Sequence, residues 1–320
     1  MKPKISVIIP TYNRPHLLGQ LLKSLSDQIL DKSLFEIIVV ENTPLKNAKR
    51  VVKKYTSLFP KERLSYSFEK NQGLHFARHA GAKLAKSEIL AFLDDDALCN
   101  KDWLKNLLFV YENKKIGCAG GKIKIKWDKK PPSWILRYEN VLGALNHGPK
   151  LRILKKNEYI NGGNFSIRKK LLFEAGGFNP DQVKNIQVGD GETGLCKKLH
   201  KKGIKIAWMP KALVWHIQKV KPNATLTDMK RRFGSSAAVA SYTSYKKEKF
   251  GRLELAKRVI NFLSLFLKYR FFSFTGKLGK KKKWRHQTLL SAYYFKKALY
   301  ELKLIHSRRF KKWVLKRSWL

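Results

Sequence analysis

Short apolar runs alternate with helical periodicity through the first hundred residues. Residues 5–9 are β-branched and apolar and end at Pro10, and from Pro15 onward Leu17, Leu18, Leu21, Leu22 and Leu25 return on one helical face. Residues 35–40 predict a second strand, 45–55 a helix and 64–68 an alternating third strand. A helix over 73–86 and a buried strand over 89–93 complete the series. Strands and helices alternating at this spacing predict right-handed crossovers and a mostly parallel sheet. Ligands bind such sheets at the carboxyl ends of the strands. Residues 11–14, Glu41 with Asn42, residues 71–73 and residues 94–96 are therefore expected to converge on one crevice.

Beyond Ile116 the pattern is less regular. Residues 122–127 read as a strand, 127–148 as a loop-rich stretch with two prolines and two tryptophans, and 161–167 as strand-like. Residues 192–202 are helical in pattern, and 212–215 form a short last strand ending at His216. There is no internal repeat, and the one low-complexity run is 280–283.

Composition adds a partner class. The chain is 43% hydrophobic and 12% aromatic, which excludes wholesale disorder, yet its formal charge is +45. Such a field attracts polyanions: nucleic acid, anionic lipid or an anionic polymer. It is uneven, since residues 226–320 hold 26 Lys and Arg against 4 Asp and Glu. About half of the excess lies in under a third of the length, so this stretch is expected to be a separate unit. Cys99, Cys118 and Cys196 lack a disulfide-framework spacing and imply a reducing compartment. Residues 1–10 have no signal-peptide layout, and no apolar run reaches the roughly 20 residues of a spanning helix, so a cytosolic or peripheral protein is expected.

Asp94, Asp95 and Asp96 are the first candidates for chemistry. Three adjacent carboxylates after an apolar strand repel one another and are best tolerated with a cation. Hard divalent ions take oxygen ligands and share them with substrate phosphates. The plainer reading is a solvated acidic turn ahead of a helix near Asp102.

At this point the order of motifs becomes specific. Ser6-Val-Ile-Ile-Pro-Thr-Tyr-Asn-Arg14, Ile38-Val-Val-Glu41-Asn42, Asn71-Gln-Gly73 with Ala77-Arg78, and Phe92-Leu-Asp-Asp-Asp96 resemble the family-2 glycosyltransferases. Asn161-Gly-Gly-Asn164 and Gly176-Gly177-Phe178 resemble the acceptor-side segment of the same family, and the resemblance covers about residues 4–217. It implies a GT-A fold, an α/β Rossmann-like transferase of nucleotide-diphosphate sugars with inverting, Mg²⁺- or Mn²⁺-assisted chemistry. Residues 1–225 would form the transferase, with a donor half of about 1–120 and an acceptor half of about 121–225.

Carried over residue by residue, Pro10, Thr11, Tyr12 and Arg14 would lie along the nucleotide. Glu41 stands where the family usually has Asp against uracil or ribose, and its longer side chain leaves the base open. Asn71, Gly73 and Arg78 would lie near base and diphosphate, with Asp94 and Asp95 beside them. Asp96 is the foremost metal ligand, with Asp94 and His216 as further ones. Relatives carry the catalytic base just before a Leu-rich helix. Aligning on Leu195 puts Glu192 at that position, with Asp190 second. Helix-terminal roles are the alternative for these acids. Asn161, Gly162, Gly163 and Asn164 would face the acceptor. Trp127 and Trp134, flanking Pro131-Pro132, would stack on sugar or pack in the loop.

In the C-terminal stretch, residues 259–267 are interrupted only by Asn261 and Ser264, with Lys257 and Arg258 before and Lys268 and Arg270 after. This suits a helix lying in a membrane interface, basic groups at anionic headgroups. The run 280–283, Trp284 and Arg285 and an aromatic, basic segment over 289–305 extend it. The expected partners are a nucleotide-diphosphate sugar (UDP-linked favoured), a glycan or lipid-linked acceptor, and the inner face of the cytoplasmic membrane. A solvated basic subdomain, a nucleic-acid-binding protein and an inactive membrane scaffold are the competing readings. No nucleic-acid motif is present, and no specific nucleic acid is expected.

Overall fold

A computed structural model describes residues 2–180, 189–281 and 283–316, with the backbone alone of 182, 183, 186 and 187. Lys282 of the lysine run and the side chains of 181–188 lie outside the described residues. The strands are β1 (Ile5–Thr11), β2 (Phe35–Glu41), β3 (Leu64–Phe68), β4 (Ile89–Phe92), β5 (Ala97–Cys99), β6 (Ile116–Trp127), β7 (Arg152–Ile153), β8 (Phe165–Arg168), β9 (Gln182–Val183), β10 (Ile186–Gln187) and β11 (Lys205–Gln218). The helices are α1 (Pro15–Ser26), α2 (Ala48–Tyr55), α3 (Leu74–Leu84), α4 (Trp103–Glu112), α5 (Lys169–Glu174), α6 (Gly191–Lys201), α7 (Val220–Asn223), α8 (Leu226–Glu248), α9 (Arg252–Leu278), α10 (Trp284–His306) and α11 (Arg308–Leu315).

The main sheet runs β3-β2-β1-β4-β8-β6-β11-β5, with β7 pairing on β11. The first four strands are parallel, as the alternation predicts. Beyond them β8 inserts antiparallel between β4 and β6, so the sheet is mixed. Strands β1 and β2 are buried on both faces, which is why they read as unbroken apolar runs. Ile5, Val7 and Ile9 enter the layer holding Leu18, Leu21, Val52 and Trp103, while Ile8 enters the opposite layer with Ala77, Leu172 and Leu195.

Three boundaries differ from expectation for physical reasons. Helix α2 starts at Ala48, because Glu41 accepts that residue's N–H; Leu45 is left 64% exposed in the turn before it. Strand β6 begins at Ile116 and crosses Gly120-Gly121, a pair that reads as a breaker. A Cβ on Gly121 would lie 1.8 Å from the carbonyl oxygen of Ala212, so the close backbone approach to β11 demands glycine. Residues Gly162–Asn164 form a 3₁₀ turn ahead of β8 instead of continuing the strand.

The C-terminal helices pack among themselves and on the sheet domain. Glu301 of α10, 1% exposed, accepts from both Nε and Nη2 of Arg258 on α9 at 2.8 Å, and from Ser241 of α8. A mixed cluster joins Ile135, Tyr138 and Leu142 to Met229 of α8 and Leu289 of α10. Trp127 and Trp134 belong to its edge: Trp127 donates to Glu139 and Arg285 lies over Trp134. Of the two readings of these tryptophans, the contacts are those of loop packing, for both indoles are engaged in packing the loop against the helices.

Candidate active site

The end of β4 delivers the three aspartates into the crevice, and each meets a different partner. Asp95 points inward: Thr11 Oγ1 donates to it at 2.7 Å, the Tyr12 N–H at 3.4 Å and Arg14 Nη1 at 3.0 Å. Burial, reinforced by Asp96 and Asp94, raises its carboxyl to about 6 against the opposing pull of Arg14 and Thr11. Asp95 thus ties β4 to the end of β1 and acts as a brace there. Asp96 receives Arg14 Nη1 at 2.6 Å and stands 3.2 Å from His216 Nε2 on β11. Burial would raise the Asp96 carboxyl, but the hydrogen bond and charge of His216 and the charge of Arg14 outweigh it and hold it low. His216 is raised in turn: burial opposes its charge, and the hydrogen bond and charges of Asp96 and Asp94 prevail.

Asp94 is the exposed member, its side chain 34% accessible, and Arg78 Nη2 donates to it at 3.1 Å. Arg78 stands on α3 with its side chain 3% accessible, its guanidinium 5.1 Å from the Phe178 ring. Its other terminal nitrogen is 3.6 Å from Glu192 on the first turn of α6. One buried guanidinium therefore connects the donor-side acid Asp94 to Glu192. Gly162 makes room for it, since a Cβ there would lie 2.4 Å from Arg78 Nη2. Asp94, Asp96, Asn161, Gly163, His216 and Arg232 line a cavity of ≈ 160 Å³, with Val141 and Leu142 in its apolar lining.

Residues 6–177 match the family model described as Glycosyl transferase family 2, over half of the chain. The chain is a family-2 glycosyltransferase. Glycosyltransferase AglE of Haloferax volcanii is 27% identical over 176 residues, 55% of this chain and 56% of that protein. The chain thus spans about half the length of this curated relative. A glucosyl-dolichyl phosphate glucuronosyltransferase of the same organism is 24% identical over 226 residues, 67% of this chain and 69% of that protein. Among solved structures, the mannosyltransferase PcManGT of Pyrobaculum calidifontis, in complex with GDP-Man and Mn²⁺, superposes with a TM-score of 0.61 over 94% of this chain and 88% of that one, at 17% identity. The mixed sheet with its flanking helices is accordingly the GT-A fold.

Other expected site residues of this glycosyltransferase divide cleanly. Tyr12, 54% exposed, and the exposed Asn71 sit on the crevice rim, near Gly73 at the start of α3. Pro10 is interior to β1, opposite Val40. Glu41 is 0% exposed, and its carboxylate accepts from Ala48 N–H and Tyr66 Oη, so it fastens α2 and β3. Asn164 is likewise structural, with Trp103 Nε1 donating to it at 2.9 Å and its own Nδ2 donating to Ala212 and Lys122 carbonyls. Asp190 accepts from Asn179 Nδ2 at 2.7 Å and lies 3.5 Å from Lys197 Nζ, commitments that set it apart from Glu192.

One residue that the sequence reading placed at the crevice shapes the loop there, and another contributor escapes that reading. Asn42 donates to the Glu69 and Asn71 carbonyls and accepts the Gly73 N–H at 2.7 Å, shaping the rim loop. Arg232 comes from α8, where its i,i+4 pairing with Asp228 looks like an ordinary surface ion pair.

Proposed function

We propose that this glycosyltransferase carries out an inverting transfer from a nucleotide-diphosphate sugar to a hydroxyl group, with Glu192 as the base. The observation that carries the reading is Arg78, held between Asp94 and Glu192 beside the cavity that Asp96 and His216 line. An inverting displacement needs a carboxylate on the acceptor hydroxyl's side and charge stabilisation on the leaving-group side. Glu192, 17% accessible, takes the hydroxyl proton as the oxygen attacks the anomeric carbon; Arg78 fixes its position. Tyr12 and Asn71 at the rim hold the nucleoside.

Asp96, His216 and Asp94 suit a divalent cation, Mg²⁺ or Mn²⁺. Among the described residues Asp96 Oδ1 is buried with the His216 imidazole as its one polar neighbour, and two carboxylates and a ring nitrogen share one cavity. Among the described residues no three such side chains converge closely enough to hold a cation alone, so donor phosphates would complete its coordination. Bound there, the ion supplies charge stabilisation to the departing diphosphate. The Mn²⁺ and GDP-Man in the mannosyltransferase complex support this reading.

The acceptor is a glycan or a lipid-linked glycan of cell-surface polysaccharide, lipopolysaccharide or glycolipid assembly, supported by the dolichyl-phosphate substrate in the name of one relative. The enzyme works at the inner face of the cytoplasmic membrane, held by α9. That helix leaves Leu253, Ile260, Leu267, Phe271, Phe274 and Leu278 each at least 62% exposed. Their intervals of seven, seven, four, three and four return to one helical face. Exposed Arg252, Lys257, Lys268, Arg270 and Lys277 line its edges. Among the described residues no helix is long and apolar enough to cross a membrane, and a stripe with cationic margins is suited to lie on one.

The test is thermal stability of the whole chain with UDP-, GDP-, CMP- and dTDP-sugars, each with and without Mn²⁺. Stabilisation by one nucleotide family, greater with metal, is expected; no stabilisation by any of them would overturn the reading. Glu192→Gln should keep that stabilisation and lose transfer by about 10²–10⁴-fold. Loss of donor binding instead would remove Glu192 from the role of base.

A further inference from the structure

The basic helical region also reaches into the catalytic cavity. Arg232, in the second turn of α8, lines it together with Asp94, Asp96 and His216, and its positive charge bears on His216. The side chain is 21% accessible. Asp228 holds it by one edge, accepting from Nε at 2.6 Å, and Asp228 is itself fixed where Thr225 caps the helix. Met229 on the turn before is fully buried against Ile135, Tyr138 and Leu142, which anchors this end of α8 to the cavity's apolar lining.

Among the described residues, Arg232 forms an ion pair with Asp228 and with neither cavity carboxylate; those are met by Arg14, Arg78 and His216. A guanidinium has five donors in a planar fork, and pairing through Nε leaves the terminal nitrogens as donors. The two cavity acids already have Arg14, Arg78 and His216 as cationic partners, so a further guanidinium lining the same cavity supplies positive charge for an anionic ligand. Phosphate has the negative charge and the geometry for an arginine fork.

We infer that Arg232 is a phosphate-binding residue of the active site, supplied by the C-terminal helices. The inference rests on the donor-site reading above. The reaction offers phosphate from two sources, the donor diphosphate or a phosphate-bearing acceptor, and adjacency to Asp96 and His216 points to the donor and its leaving nucleoside diphosphate. Arg232 then stabilises the diphosphate as the sugar leaves, and catalytic competence depends on how α8 is seated.

The experiment is calorimetric titration of the full chain with Mn²⁺ and the nucleoside diphosphate that best stabilises the wild type, using Arg232→Lys and Arg232→Met. Melting temperature reports folding of each variant, and Asp228→Asn frees the Nε edge while leaving the charge. Arg232→Met is expected to weaken nucleoside diphosphate about 10- to 100-fold, a range set by the strength of charge-assisted hydrogen bonds. Arg232→Lys should restore only part of the affinity, because the ammonium lacks the fork, and binding of the bare nucleoside should be unchanged. A sugar 1-phosphate titrated in parallel separates the sources: loss confined to it assigns Arg232 to acceptor phosphate. Unchanged affinity for both phosphates in folded Arg232→Met overturns the inference. Wild type that binds no nucleotide at all would instead overturn the donor-site reading on which it rests.

Discussion

Replacing Leu267, Phe271 and Phe274 together by serine tests how the protein meets a membrane. These three side chains are 63%, 62% and 63% exposed on the outer face of α9, while Leu255, Val259 and Phe262 on its inner face are buried. Fully burying a side chain of this kind contributes about 1.5–3 kcal/mol. Scaled by the exposed fraction, each loses about 1–2 kcal/mol of transfer free energy, and the three together about 3–6 kcal/mol. At 1.4 kcal/mol per tenfold, the partition coefficient onto a bilayer should fall roughly 10²- to 10⁴-fold. The assay is co-sedimentation with phosphatidylserine-containing and with pure phosphatidylcholine vesicles. Wild type should bind the anionic vesicles and lose much of that binding in salt, because the flanking cations contribute through a screened potential. The triple variant should stay in the supernatant and remain folded, with a small change in melting temperature, since the internal contact it removes is limited to the partly covered edges of these side chains, such as Phe271 against Phe272. Equal sedimentation of variant and wild type would refute the reasoning. Loss in the variant of a concentration-dependent dimer, with no vesicle binding in either protein, would assign the stripe to a second copy instead.

Other expectations follow from individual groups. Asp96→Ala should remove the metal dependence of donor binding, read as equal thermal shifts with and without Mn²⁺; a retained metal increment would take Asp96 out of the coordination sphere. Asp95 is raised to about 6 when folded, so the folded state holds its proton more tightly than the unfolded chain between about pH 4 and 6. Stability of the metal-free protein should therefore fall as pH rises through that window, by roughly 3 kcal/mol from this residue. Asp95→Asn should flatten that stretch of the urea-denaturation pH profile, and an unchanged slope would contradict the assignment. Glu301→Gln leaves Arg258 without its countercharge at the centre of the helical region. Breaking a buried pair of this kind costs about 3–5 kcal/mol, measurable by urea titration. A loss below about 1 kcal/mol would show that apolar packing alone holds α8, α9 and α10.

What the sequence disclosed, and what it hid, divides along one physical line. Strands buried on both faces announce themselves as apolar runs, and the residues just after them are forced to the crevice by topology; Tyr12, Asn71 and the aspartates were legible for that reason. Adjacency in sequence did not disclose which of three neighbouring aspartates points outward, because a turn sends Asp94, Asp95 and Asp96 to Arg78, to Thr11 and to His216. The same limit explains Glu41, whose motif position suggests a ligand while its oxygens are taken by the helix that follows. Arg232 was hidden by the opposite cause. Nothing local distinguishes it from Arg231, which pairs with the same Asp228 yet is 63% accessible. Only the docking of Met229 and Leu289 against the loop around Tyr138 turns one of the two arginines into the cavity. The tryptophans that read as sugar platforms belong to that same docking surface. Their packing there is part of the physical link by which a region set apart by its charge brings Arg232 to the cavity.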